Sequence, residues 1–221
     1  MNLLRAASTI SLLTLASRIT GLVREQLTAG LFGANGMTDA FLVAFRIPNL
    51  LRRLFAEGAF SQAFVPLLAA CRTTDGDQAT RALVDAVATV LLWALVATSV
   101  LGIVGAPVLV WLLGSGLAPK SFDASVAMTR FMFPYIGCMS LVALSAGILN
   151  TWRRFVVPAA SPVLLNLSMI LCGWTLVGPL ERAGLPGIYG MAAGVMLGGV
   201  LQLAVQWPAL ARIGMRPRMR W

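Results

Sequence analysis

Apolar residues gather into six long stretches, about 6–32, 38–68, 83–113, 126–151, 156–178 and 188–210, with short polar or glycine-rich breaks between them. Each is long enough for a helix crossing hydrocarbon about 30 Å thick, which takes about 20 residues at 1.5 Å per residue. The pattern predicts an all-α polytopic membrane protein, a bundle of six transmembrane helices. The third stretch carries no charge after Asp85 and reads as a lipid-facing or packing helix. The sixth repeats glycine every fourth residue at Gly190, Gly194 and Gly198, a common and weak signal that fits close packing inside a bundle.

The first two stretches break the apolar pattern. The first contains Ser17, Arg18, Gly21, Arg24 and Glu25, and the second contains Asp39, Arg46, Asn49, Arg52, Arg53 and Glu57. Arg18 lies about 18 Å along its helix from Ala6, near the bilayer midplane, and Arg52 and Arg53 lie about 20 Å beyond the start of theirs. Ionisable groups at that depth are tolerated where they face a bundle interior or a watery cavity, so both helices are expected to line one. Arg46 and Arg53 can instead snorkel to the interface. Arg53 and Glu57, four apart, can pair within their helix. Gly33 and Gly36 around Asn35 predict a tight turn, with Thr38 as N-cap of the second helix and Asp39 at its positive end. That turn sets Arg24 and Asp39 at similar depth, where an ion pair between them costs little. Pro48 predicts a kink, and Pro66 a weakening before a loop over 71–78. In the fifth stretch, Asn166 among aliphatic residues can either bond a neighbouring helix or contact a substrate.

Composition narrows the class. The chain of 221 residues is 58% hydrophobic and 11% charged, with a mean hydropathy of +0.84, against about 25% charged in soluble domains. The net charge of +9 does not point to nucleic acid, because the arginines flank apolar spans rather than forming one basic face. Six spans put both ends on one side. Arg5, Arg72, Arg81, Arg153, Arg154, Arg212, Arg216, Arg218 and Arg220 fall there, against Lys120, Arg130 and Arg182 opposite, so both ends are expected to be cytoplasmic. Arg5 before a short apolar run imitates a signal peptide, but Arg18 interrupts it, and retention as the first span is the expectation. Cys71, Cys138 and Cys172 match no metal or disulfide spacing, and histidine is absent. No nucleophile–base pair, metal cluster or phosphate-cradling glycine loop is present, so neither an enzyme nor a cofactor is expected.

Five arginines against three carboxylates on the first two helices leave a positive surplus at membrane depth. A cavity of that sign suits an anionic visitor, and guanidinium, with its planar fork, is the natural donor to phosphate. Ser17-Arg18, Gly21, Arg24 and Phe32-Gly33-Ala34, then TDAFLVAFRIPNLLRRLFAEGAFSQAFVPLL and ILNTWRRFVVPAASPVLLNLSMI, resemble the lipid II flippases, the MurJ or MviN family of the multidrug/oligosaccharidyl-lipid/polysaccharide exporter superfamily. The resemblance runs over essentially the whole chain. It implies movement of lipid II, the undecaprenyl-pyrophosphate-linked muropeptide, across the bacterial inner membrane by alternating access. It also implies Arg18, Arg24 and Arg52 as substrate-binding residues and Asp39 as a partner in closing the outer side. Glu25, Arg53 and Glu57 would form gating or cavity ion pairs, and Ser17 and Asn49 would be cavity polar groups. Members of that family have about fourteen spans in two lobes plus a final pair, so the chain looks like the N-terminal lobe, with the C-terminal lobe absent and membrane lipids around it. Export of another lipid-linked glycan, or a non-transporting scaffold for cell-wall assembly, are the alternatives.

Overall fold

The computed structural model describes residues 3–52 and 59–218, and the regular elements among them are helices. They are α1 (Leu3–Phe32), α2 (Gly36–Arg52), α3 (Ala59–Thr74), α4 (Gly76–Leu113), α5 (Pro119–Met132), α6 (Tyr135–Thr151), α7 (Val156–Thr175), the short α8 (Val177–Arg182) and α9 (Tyr189–Arg212). Four helical stretches among the described residues are long and apolar enough to cross a membrane: α4, α5 with α6, α7 and α9. α1 is long enough but carries Arg18, Arg24 and Glu25, and α2 and α3 are short taken singly.

The turns differ from the sequence expectations in instructive ways. The N-cap of α2 is Asn35, not Thr38: its Oδ1 accepts from the backbone N–H groups of Met37 (2.9 Å) and Thr38 (3.0 Å), while its Nδ2 donates to Phe32 O (2.7 Å). One side chain thus satisfies both the last carbonyls of α1 and the first amides of α2. Thr38 turns its hydroxyl back to Gly33 O at 2.9 Å, and Gly33 supplies the left-handed residue, φ 65°, that ends α1. Of the expected second span, α2 and α3 are the described parts, and 53–58 lie outside the described residues. Pro48 and Pro66 each lie within a helix. The loop expected over 71–78 contracts to a reversal at Asp75–Gly76, with Gly76 at φ 81°, because α3 continues through Thr74, whose hydroxyl bonds Ala70 O at 3.0 Å. The fourth span starts earlier than expected, at Pro119, and is interrupted at Phe133–Pro134.

Prolines inside helices leave orphaned carbonyls four residues upstream. At Pro107 of α4 that carbonyl is Ile103 O, and Arg130 Nε of α5 donates to it at 3.3 Å. A cation expected only as an orientation signal therefore also mends a helix break.

α5 and α6 form the buried middle of the bundle. Met128, Met132, Tyr135, Met139 and Val142 meet Phe41 and Ala44 of α2, Met169 of α7 and Met191 and Val195 of α9 in one core. α4 lies outside them and exposes Val90, Trp93, Val100, Leu101, Val104, Val108 and Trp111, the apolar surface a lipid-facing helix requires. At about 57 Å it outreaches the hydrocarbon, so it tilts or extends beyond it. Leu68 of α3, Ile148 of α6 and Leu210 of α9 belong to a second core at the opposite end of the bundle from the α1–α2 turn. Here Arg72 lies over the Trp152 ring (4.3 Å) and donates to Thr151 O (3.1 Å). The segment after α9 folds back so that Arg218 N–H donates to the buried Asp85 carboxylate at 2.8 Å.

α7 and α9 approach almost backbone to backbone. A Cβ built on Gly190 would stand 2.8 Å from Cys172 O, on Gly194 2.6 Å from Met169 Cα, and on Gly198 3.0 Å from Leu165 Cα. The four-residue glycine repeat is thus the contact surface of α9. Gly194→Ala is expected to lower stability by about 2 kcal/mol or more, since the obstructing atoms are backbone. Gly137→Ala, at a helical position with open space, should be neutral or stabilising by up to about 1 kcal/mol. Thermal unfolding of the two variants in detergent distinguishes packing from propensity; equal behaviour would refute the contact.

Candidate functional site

Asn166 of α7 is the junction from which the polar site is built. It is buried, and all its polar capacity goes to α1: Nδ2 donates to Ser17 O (3.0 Å) and Thr20 Oγ1 (3.2 Å), while Oδ1 accepts from Arg24 Nη1 (3.1 Å). Gly21 lies between these points, and a Cβ there would be 3.5 Å from Asn166 Nδ2. The spacing Ser17, Gly21, Arg24 is one helical face, which α1 turns to α7. The bond to a neighbouring helix, one of the two readings of Asn166, is present, and the residue also lines a cavity.

Arg24 is held from two sides. Its Nη1 is on Asn166, and its Nη2 stands 3.2 Å from Glu25 Oε1. The Arg24 side chain is 21% exposed and that of Glu25 69%, so the carboxylate sits at the wet end of the pair and is a weak, exchangeable partner. The expected Arg24–Asp39 pair is not formed. Asp39 is exposed on the first turn of α2, and within α1 and α7 Glu25 and Asn166 reach the guanidinium first.

Two cavities share this arginine. One, about 370 Å³, is lined by Ser17, Arg24, Asn49, Ser161, Asn166, Gln202 and Gln206, with apolar walls from Phe45, Met139, Val142 and Leu165. The other, about 440 Å³, is lined by Arg24, Glu25, Thr28, Thr38, Asp39, Phe45 and Met191, among others. The structure thus gathers Ser17, Arg24 and Asn49 on the first and Arg24, Glu25 and Asp39 on the second. Arg18 lines neither. One residue on from Ser17, it is turned about 100° away from α7 and is exposed. Arg46 is likewise exposed. The Arg52 side chain, Arg53 and Glu57 lie outside the described residues.

Three lining groups escaped the sequence reading: Ser161, Gln202 and Gln206. Gln206 Nε2 donates to Ser161 Oγ at 3.0 Å. Their signal was available, as two glutamines four apart in a glycine-rich apolar helix share one face.

A guanidinium with one nitrogen fixed by a buried amide and the other loosely paired at the edge of two cavities is suited to anion binding, with Glu25 displaced by the incoming charge. Asn166→Leu should remove the α1–α7 clamp. We expect a loss of about 2 kcal/mol, seen as a drop of roughly 5 °C in the unfolding midpoint, and an unchanged midpoint would show that the clamp contributes nothing.

Residues 28–221 match the model of the family described as Lipid II flippase MurJ. The chain is 53% identical over 219 residues to the lipid II flippase MurJ of Burkholderia cenocepacia, covering 98% of this chain and 42% of that protein. It is 40% identical over 228 residues to the probable lipid II flippase MurJ of Vibrio cholerae serotype O1, covering 99% and 43%. Its fold is similar, with a TM-score of 0.76 and 25% identity, to a solved structure named "Lipid II flippase MurJ, inward closed conformation", over 96% of this chain and 43% of that one. The chain therefore spans less than half the length of the relatives it matches.

Proposed function

The chain belongs to the lipid II flippase MurJ family, and from that premise we propose that it forms the N-terminal lobe of a transporter carrying lipid II across the bacterial cytoplasmic membrane by alternating access. On this reading the six spans are α1, α2 with α3, α4, α5 with α6, α7, and α9. A second lobe, of the kind held in the remaining length of the relatives, faces α1 and α2 and closes the other side of the cavity. The end of the bundle carrying Arg72, Arg153, Arg154 and Arg212 is cytoplasmic by its excess of arginine.

The observation that carries the proposal is Arg24: a mostly buried cation of a membrane bundle, facing two cavities, with its outward nitrogen on an exposed carboxylate. The pyrophosphate of lipid II would take the place of Glu25. Arg18 and Arg52 are assigned to the same task from the part of the cavity that the second lobe completes, and Asp39 and Glu25 to the gating pairs. Chemistry of this kind is binding and release, with no bond made or broken by the protein.

The test places this chain in the complete protein. Carried in place of the matching segment of the Burkholderia relative, it should support growth of flippase-depleted cells. Arg24→Ala should lower plating by at least tenfold, Arg24→Lys should rescue partly because the charge remains but the fork is lost, and Arg46→Ala should grow normally. Growth of Arg24→Ala equal to the parent would remove the anion-binding role and leave a scaffold as the better reading.

A further inference from the structure

The wall of the smaller cavity contributed by α9 is chemically different from the α1 wall. It has no charge. Gln202 is 2% exposed and Gln206 0% exposed, yet Gln202 Nε2 and Gln206 Oε1 have no hydrogen-bond partner, and both residues line the cavity. A buried donor or acceptor left unmade costs about 1–3 kcal/mol, and a bundle this tightly packed could have placed methionine or leucine here. The two orphans have opposite sense, one a donor and one an acceptor. They lie on residues one helical turn apart, about 6 Å along the axis. Phosphate, which offers only acceptors at full ionisation, could satisfy Gln202 Nε2 but would repel Gln206 Oε1. Together they match a neutral ligand that both accepts and donates, as a sugar hydroxyl or an N-acyl amide does. Phe45 and Leu165 supply the apolar sides of such a slot.

We propose that Gln202 and Gln206 are specificity-determining residues that hydrogen-bond the uncharged, hydroxyl- and amide-bearing part of the headgroup, while Arg24 meets its pyrophosphate. This rests on the transport reading given above. The cavity then has two separable halves. Arg24 recognises any polyprenyl pyrophosphate, and the glutamine wall distinguishes a glycan-bearing carrier from a bare one. In this conformation both orphan atoms are closed to water, so a glycan or peptide amide engages them as the two side-chain amides turn into the cavity.

The experiment uses the complete transporter carrying this chain, purified and placed in nanodiscs, and measures binding of lipid II and of undecaprenyl pyrophosphate, which has the same tail and anion without the sugars. Combining Gln202→Met with Gln206→Met should weaken lipid II about tenfold or more and leave undecaprenyl pyrophosphate within twofold. Arg24→Ala should weaken both. Gln202→Met alone breaks no hydrogen bond described in the fold, so its unfolding midpoint should be unchanged or higher, and it should weaken lipid II by at least threefold. If the double variant does not fold, this single variant decides. Equal loss of both lipids, or loss of neither, overturns the glutamine assignment while leaving the transport reading intact. Failure of the unsubstituted protein to bind either lipid overturns both.

Discussion

A permanently charged guanidinium at bilayer depth has to be given polar company, and much of the α1–α7 architecture follows from that requirement. The cost of a charge on Arg24 in hydrocarbon is met by partners or by water. The fold uses both. Asn166 fixes one nitrogen from a helix far along the sequence, and the other nitrogen is left at a wet edge with Glu25. Full pairing inside the protein would satisfy the charge and make it useless for binding; no pairing would expel α1 from the bundle. The intermediate arrangement keeps the helix docked and the charge addressable.

That arrangement needs a firm surface behind it. Asn166 can hold three points on α1 because α7 is itself fixed against α9 through Gly190, Gly194 and Gly198, where side chains are too large to intervene. Close backbone approach has few adjustable atoms, so α7 offers a stiff platform to the more loosely held α1. α9 presents glycine to α7 and glutamine to the cavity on adjacent faces. The same helix therefore serves packing and lining at once.

The helical class was legible because apolar stretches of this length have one structural solution in lipid, and the lipid-facing character of α4 was legible because nothing polar interrupts it. The glycine repeat was readable too, though the sequence could not say that α7 was its partner. Ser17, Arg24 and Asn49, expected beside a cavity, line one, whereas Arg18, expected there with them, does not. The pairing of Arg24 was not legible, because Asn166 competes from 142 residues away and Glu25, its partner one residue on, sits at a spacing that helix geometry does not favour for side-chain pairs. Thr38 lost the cap to Asn35 for a local reason: the asparagine reaches amides and a carbonyl together, and both residue types carry the same sequence signal. Gln202 and Gln206 could be placed on one face of α9 but not at a cavity, and the missing partners of Gln202 Nε2 and Gln206 Oε1 are among the more informative features of the site.

Arg18 is where the described helices leave a physical problem open to one kind of solution. Its neighbours on α1, Leu12, Leu15, Ile19 and Leu22, are all well exposed and would be at home in lipid, but the guanidinium among them would not. Snorkelling lowers the cost of an arginine near the middle of a span without removing it. On the transport reading proposed above, the exposed face of α1 borders a protein-lined, hydrated space, with the leucines at its rim and Arg18 projecting into it. This is the same side of the bundle on which the larger cavity opens between α1 and α2. The two features call for the same thing: a second wall, polar opposite Arg18 and apolar around it.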